Sequence, residues 1–309
     1  VKILYIEKHH GNSFSYYNEM MRALMKYNKI YQFANWANSS TISDILSNCP
    51  EKPDLICFGF GWTDCGDNYP KEIKGIKECN IPIAIILNKE YTGLVKKLDW
   101  IKNLNPVAAF SVHHNCEIYE EYTFIPFHKI PFAVNETIFK DYGQKNEYDF
   151  GFSGVVRPEQ ISNWREKIRE SIKSWKNIRT FFTSHQHDNL TSYAKRINST
   201  KIWLSTSGPA NIIGPRYYEV MASGTTLLIC NRMKEEYNDL FEEDTHCVMF
   251  DSLEEFEEKI TYYLSHDIER EKIIKRAHEH VLGNHTWAHR GQKITNILNK
   301  ALEGYHGKA

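Results

Sequence analysis

The sequence predicts an α/β protein of two domains, each organised on a parallel sheet. Three observations predict it. Short β-rich apolar runs alternate with helical periodicity along most of the 309 residues, as βαβ units require. Several of those runs end in glycine-bearing turns, where a parallel strand lets a ligand approach the backbone. The length suits two cores better than one, and a polar stretch, Asp141–Glu147 ("DYGQKNE"), separates two such series.

Lys2–Ile6 reads as the first strand. Glu7 to Ser15 is a polar turn with His9, His10, Gly11 and Asn12, and Tyr16–Tyr27 has helical periodicity. The turn lacks a full G-x-G-x-x-G, so as a dinucleotide signature it is weak. Ile30–Ala34 is a second strand and Thr41–Cys49 a short helix. Asp54–Phe60 ("DLICFGF") is a buried strand running into Gly59-Phe60-Gly61-Trp62. Asp64 and Asp67 follow; either is a candidate base, and either equally fits a solvated turn. Lys71–Glu78 reads as helical and Ile81–Leu87 as a buried strand, with Asn88, Lys89 and Glu90 at its carboxyl end. Val95–Leu104 is an amphipathic helix, and Val107–Val112 is a strand ending at His113-His114-Asn115. Gly11, Gly61, Glu90 and His113 then share the carboxyl edge of one sheet.

Strands resume at Tyr148–Ser153. Gly154-Val155-Val156-Arg157-Pro158 leads into a helix from about Ser162 to Trp175. A glycine at a strand-to-helix turn with an arginine close by suits a pyrophosphate: backbone N–H groups, a helix dipole and a guanidinium converge there. The plain alternative for Arg157 is a surface arginine. Arg179–Thr183 is a strand with Thr183, Ser184 and His185 at its tip. Leu190–Ile197 is helical, and Lys201–Ser205 is a strand. The loop Thr206–Asn211 follows it, with Ser207 and Gly208.

Gly214-Pro215-Arg216-Tyr217-Tyr218-Glu219 then opens a short helix stopped by Gly224, followed by the buried strand Leu227–Cys230. Proline suits a first helical turn, and glycine suits the left-handed position that ends a helix. An arginine there can grip phosphate bidentately. A glutamate there can accept two hydrogen bonds from a ribose diol. A helix terminus with a solvated ion pair is the plain alternative. Glu235–Leu240 reads as a short helix, Cys247–Phe250 as the last strand, and Leu253–Ser265, Ile268–Val281 and His285–Leu302 as helices. His278 and His280 read as solvated helix surface.

Composition narrows the classes. A formal net charge of -1 gives no global attraction to nucleic acid or anionic membrane. Hydrophobic content of 41% and charged content of 25% are those of a globular protein. No apolar run approaches the roughly 20 residues that span a bilayer, and Val1–Ile6 is too short for a signal peptide. Seven cysteines without C-x-x-C spacing imply reduced thiols and a cytoplasmic setting. His185-Gln186-His187 lacks a companion carboxylate cluster, so no metal is expected.

"RYYEVMASGTTLLICN" resembles the donor-site segment of GT-B glycosyltransferases, in the "R-x-x-E-x-x-A-x-G" form of the CgeB-like (spore maturation protein-like) group, which is related to the large retaining families. "HTWAHRGQKI" at His285–Ile294 is similar to the "HT-aromatic-x-x-R" closing helix of that group. "IPFAVNETIF" at Ile130–Phe139 is similar to the passage from the first GT-B domain into the second. The resemblance covers the second half of the chain.

It implies a GT-B fold of two Rossmann-like domains whose sheets face an interdomain cleft. Residues 1–142 form the acceptor-side domain, 143–287 the nucleotide-sugar domain, and 288–309 a helix crossing back, with Trp287 as a core anchor. It implies a glycosyltransferase (hexosyl or pentosyl) that moves a sugar from a UDP- or GDP-sugar to a glycan or other hydroxyl acceptor, with retention. Donor contacts fall on Gly11, Gly154, Arg157, Thr183, Ser207, Gly208, Asn211, Gly214, Arg216, Tyr217 and Glu219. Many relatives carry an acidic residue near Asn211; an amide there can still hydrogen-bond sugar hydroxyls. Arg216 stabilises the leaving diphosphate, and because the sequence has no D-x-D, neither metal nor other cofactor is expected. An inverting reaction would instead need a base from His10, Asp64, Glu90 or His113. No nucleic-acid partner and no membrane span are expected, and peripheral membrane contact is left open. Two alternatives stand beside this reading. One is a nucleotide-sugar epimerase or hydrolase on the same fold, the other a nucleotide-sugar-binding protein without catalysis.

Overall fold

The structure is a computed structural model. It describes residues 1–8, 15–34, 41–156, 164–184, 189–208, 211–234 and 237–305. Two compact units emerge: Val1–Pro131 with Trp287–Ala309, and Phe132–Thr286.

The first unit runs β1 (Lys2–Ile6), α1 (Ser15–Met25), β2 (Lys29–Phe33), α2 (Ile42–Ser47), β3 (Leu55–Phe58), β4 (Ile83–Ile86), α3 (Leu94–Leu104), β5 (Ala108–Ser111), α4 (Glu117–Thr123) and β6 (Phe127–Lys129). Its sheet has the order β2-β1-β3-β4-β5-β6, and every pair is parallel. β3, β4 and β5 are buried at every residue, which is why they read as unbroken apolar runs rather than alternating ones. Strand order reverses between β1 and β3, so the crevice at their carboxyl ends is the place where such a sheet receives ligands.

The expected helix at Lys71–Glu78 does not form. Gly75 sits at φ +77 in the middle of the segment, and a left-handed residue ends a right-handed helix. Ile73 and Ile76 nevertheless bury themselves from irregular backbone, so their three-residue spacing reports core contact and no helix. The sequence reading also passed over α4 and β6. Both are short, and α4 carries three glutamates among seven residues, which blurs its apolar stripe.

The second unit runs β7 (Tyr148–Ser153), α5 (Trp164–Ile172), β8 (Thr180–Thr183), α6 (Leu190–Asn198), β9 (Thr200–Ser205), α7 (Pro215–Ala222), β10 (Leu227–Asn231), β11 (Val248–Phe250), α8 (Leu253–Ser265) and α9 (Asp267–Asn284). The sheet order is β11-β10-β9-β7-β8, again parallel throughout. Order reverses between β7 and β9. Phe150, Phe152, Ile202, Leu204, Ile229 and Phe250 fill the core beneath α8 and α9. The segment entering this unit is tied to it at Val134, whose N–H donates to His285 O (3.0 Å). A second tie is at Tyr142, whose N–H donates to Asn198 Oδ1 (2.7 Å). His278 and His280, expected as solvated surface, are half-buried tethers. His278 Nδ1 bonds Ala222 O (3.1 Å), and His280 Nε2 bonds Leu240 O (2.8 Å).

The chain then returns to the first unit as α10 (Trp287–Glu303). Trp287 is buried, Arg290 Nε donates to Pro131 O (2.8 Å), and Asn28 Nδ2 donates to Thr295 Oγ1 (2.8 Å). Gly291 lets α10 lie directly on α1: a Cβ there would sit 2.4 Å from Ala23 O. Backbone cannot move aside as a flexible side chain can. Gly291→Ala should therefore destabilise the fold by about 1–3 kcal/mol through overpacking, read as a lower denaturation midpoint with an unchanged slope. An unaltered midpoint would show that the two helices part easily. Among the described residues, no helix is long and apolar enough to cross a membrane.

Candidate active site

In the second unit, three segments meet at the crevice where strand order reverses. The first is the turn after β7. Gly154 has φ +152, which disfavours any other residue, and a Cβ there would fall 2.9 Å from Arg216 Nη1. The second is the described part of the loop after β9, residues 206–208 and 211–214. The third is α7, which begins at Pro215. Its N-cap is Gly214, and among the described residues no side-chain cap bonds its N–H groups, which leaves its partial positive charge for a ligand.

Arg216 and Glu219 lie one turn apart on α7, whose opposite face buries Tyr217, Tyr218, Val220 and Met221. Arg216 Nε donates to the buried Tyr193 hydroxyl (3.1 Å). The guanidinium lies 6.0 Å over the Phe152 ring and packs on Gly154. Among the described residues, its two terminal nitrogens have no hydrogen bond or ion pair. Glu219 is half-buried and its carboxyl also lacks a hydrogen-bond partner there. Burial pushes its pKa up to about 7, against the opposing pull of Arg216. A fixed cation and an unspent carboxyl thus sit side by side in a crevice.

The remaining expected donor residues are placed as follows. Gly154 donates its N–H to Thr183 O (3.0 Å), so what Gly154 provides is close approach of Arg216, and Thr183 closes the strand pair. Ser207 is clasped by Asn231 at the end of β10: its N–H donates to Oδ1 (2.9 Å), and its hydroxyl accepts from Nδ2 (3.1 Å). Gly208 N–H donates to Ile212 O (2.9 Å) and Asn211 N–H to Gly208 O (3.0 Å). Asn211 is exposed at φ +56, a region where Asn is tolerated better than most residues. Gly214 caps α7. Tyr217 is fully buried with its ring parallel to Phe241, so it supports α7 from beneath and does not line the crevice. His10, Gly11 and Arg157 lie outside the described residues.

In the first unit, Asp64 accepts from the Tyr17 hydroxyl and from Lys89 Nζ, both at 2.8 Å. Glu90 is buried; Ser111 Oγ donates to its Oε1 (2.7 Å), and among the described residues Oε2 has no hydrogen-bond partner. Burial raises its pKa above the usual carboxylate value. His113 N–H donates to Ser111 Oγ (3.0 Å), and Nδ1 accepts from Asn115 N–H (3.3 Å), which places the proton of a neutral His113 on Nε2. Glu90, Ser111 and His113 therefore form one connected set at the ends of β4 and β5. Asp64 belongs to another set, with Tyr17, Asn88 and Lys89.

Sequence reasoning missed Arg165, Tyr193 and Asn231. Arg165 had a signal: it is basic and in the first turn of a helix, where the dipole disfavours a cation. Arg165 Nε donates to Thr206 Oγ1 and Nη1 to Val155 O, both at 2.7 Å. Tyr193 and Asn231 carried no comparable sign.

A family model described as "Glycosyl transferase-like" matches residues 136–296. No curated protein matches the chain in sequence. Among solved structures, HepE of Anabaena in complex with UDP-glucose is similar at 11% identity and TM-score 0.62, over 97% of this chain and 99% of that one. Sucrose-phosphate synthase of Thermosynechococcus elongatus is similar at 11% identity and TM-score 0.65, over 98% and 100%. A glycosyltransferase of Rickettsia africae is similar at 12% identity and TM-score 0.61, over 98% and 99%. With two parallel sheets covered by helices, the fold is GT-B.

Proposed function

The chain belongs to the Glycosyl transferase-like family, and from that premise we propose that it transfers a hexosyl or pentosyl group from a UDP- or GDP-sugar to a hydroxyl of a glycan or glycoconjugate. One observation carries this reading: Arg216 and Glu219 stand together, both unspent, beside the uncapped start of α7 at the strand-order reversal. The cation and dipole suit a diphosphate, and the carboxyl suits a ribose diol. Neighbours of the same fold solved with UDP-glucose, or with UDP and glucose, favour a uridine nucleotide. Within the family we place the chain in the CgeB-like group, on the motif "RYYEVMASG".

The bond from the anomeric carbon to the diphosphate oxygen breaks, and the charge left on the diphosphate is received by Arg216 and the α7 N-terminus. The acceptor oxygen forms the new bond on the same face, and its proton passes to the departing phosphate oxygen. Retention needs no strong base, which agrees with an Asp64 held by Lys89 and a Glu90 disposed to keep its proton. The absence of D-x-D and the presence of a cationic crevice favour a reaction without metal. All seven cysteines are free thiols, which suits a reducing, cytoplasmic setting.

A nucleotide panel tests the donor. A true donor present at about 100 times its Kd should raise the melting temperature by ~5 °C. The anomeric configuration of the product then separates retention from inversion. Nucleotide release without a glycosylated product would point to hydrolysis, and binding without turnover to a binding protein.

A further inference from the structure

The second unit carries a depression of about 310 Å³ between the turn from α5 into β8 and one face of α8. That turn leads into the amino end of a parallel strand, so it lies at the opposite edge of the sheet from the crevice that holds Arg216. Trp175, Ile178 and Ile260 supply the apolar lining, and Lys176, Asn177, Glu257 and Thr261 the polar lining. The volume stands at the small end of ligand sites, which run from roughly 300 to 1,000 Å³.

The indole of Trp175 is fixed from behind. Phe256 lies nearly parallel to it at 6.0 Å, and Phe150 meets it edge-on at 5.5 Å. Both of those rings are fully buried, whereas Trp175 is half-buried, so its other face is the one that lines the depression. Hydrogen-bonding capacity is left over around that face. Among the described residues, the Trp175 indole N–H, the Lys176 ammonium and the Asn177 side-chain amide have no hydrogen-bond partner. Glu257 accepts from Ser171 Oγ with Oε1 and keeps Oε2. Thr261 Oγ1 donates to Glu257 O (2.9 Å) and can still accept.

A flat apolar face ringed by both donors and acceptors matches a pyranose, whose C–H face is apolar and whose hydroxyls do both. An anion fits poorly, because Lys176 shares the depression with Glu257. We propose that this depression binds one pyranose unit, its C–H face on Trp175 and its hydroxyls on Lys176, Asn177 and Glu257. The unit comes either as a free monosaccharide or as one residue of a glycan chain. The inference goes beyond the proposed function: it requires no transfer, and its site is separate from Arg216 and Glu219.

The test adds glucose, N-acetylglucosamine, maltohexaose, cellohexaose and chitohexaose to the full chain, with uridine and adenosine as planar controls. Titration calorimetry gives affinity, and hydrogen exchange gives the place. At least one saccharide should bind and protect the amides of residues 174–178 and 257–261, and neither nucleoside should protect them. Glu257→Gln keeps the shape and the bond from Ser171 but removes the charge, and should weaken binding by about tenfold. Asn177→Ala should weaken it by about three- to tenfold. Asn177 is exposed, so that variant should keep the wild-type melting temperature, and its loss is then one of binding. Trp175→Phe keeps a ring against Phe256 on a narrower platform and should weaken binding by at least about threefold. A monosaccharide that binds as tightly as its hexamer identifies a free sugar as the ligand, and binding of the hexamer alone identifies a glycan chain; either supports the inference. It is overturned if no saccharide protects these two segments, if a nucleoside protects them instead, or if all three variants bind as wild type does. A chain that binds sugar here yet transfers none keeps this inference and loses the transferase reading. A chain that transfers sugar without this binding does the reverse.

Discussion

Arg216→Ala is expected to lower kcat/KM for the nucleotide sugar by about two to three orders of magnitude. The expectation follows from where the charge goes. Glycosyl transfer leaves a diphosphate with more negative charge than the bound donor carried, and Arg216 is held ready to receive it. Its Nε is fixed on the Tyr193 hydroxyl and its face on Phe152 and Gly154, so it need not reorganise as the bond breaks. Interactions that strengthen in the transition state raise kcat, whereas uniform binding lowers KM alone. The loss should therefore fall mainly on kcat. Arg216→Lys restores a charge without the planar fork and should recover only part of the rate. Tyr193→Phe frees Nε and should cost less than either. Steady-state release of nucleotide, measured with and without acceptor, reads all three. Equal kcat in wild type and Arg216→Ala would remove Arg216 from the chemistry.

Both sheets were legible because parallel strands buried on two faces cannot hide. "LICF", "IAII" and the "LLIC" of β10 have no room for polar alternation. Arg216 and Glu219 were legible for a different reason: proline and glycine fix the limits of α7, and a spacing of three puts both residues on one face. Lys71–Glu78 misled because Ile73 and Ile76 obey helical spacing while Gly75 breaks the backbone between them. Arg165 carried one weak sign, a cation in a first helical turn, and its partners were hidden for a third reason. Phe152 and Val155 lie on β7 and the turn after it, Thr206 in the loop after β9, and only the sheet order brings those two segments together. Tyr217 shows the converse. The resemblance implied a donor contact there, but one step along a helix turns a side chain by about 100°, and that turn carries Tyr217 into the core.

Glu219 should make donor affinity depend on pH with a sign opposite to that of stability. In the folded protein without donor its pKa is pushed up to about 7, chiefly by burial, from an ordinary carboxylate value near 4.3. The ribose diol donates two hydrogen bonds, so the bound form requires the carboxylate. Below pH 7 the proton must leave before the diol can bind, and affinity should fall by up to about tenfold for each pH unit, the limit for one linked proton. Folding runs the other way. The raised pKa means that the ionised group is less welcome in the folded chain than in the unfolded one. Its effect favours the folded state below the ordinary carboxylate range, and that advantage is lost as pH rises through about 7. Glu219→Gln should then be more stable than wild type at pH 8 while binding donor about one to two orders of magnitude more weakly, since hydrogen bonds to a charged acceptor contribute roughly 1.5–3 kcal/mol each. Its affinity should be flat between pH 5.5 and 8. The measurement should use the nucleotide sugar, because a terminal phosphate titrates near pH 6 on its own account. A donor lacking the 2′-hydroxyl should respond less to the substitution than the complete one. If wild-type affinity is flat over that range, or if Glu219→Gln keeps the slope, the carboxyl does not hold the diol and its place beside Arg216 serves packing alone.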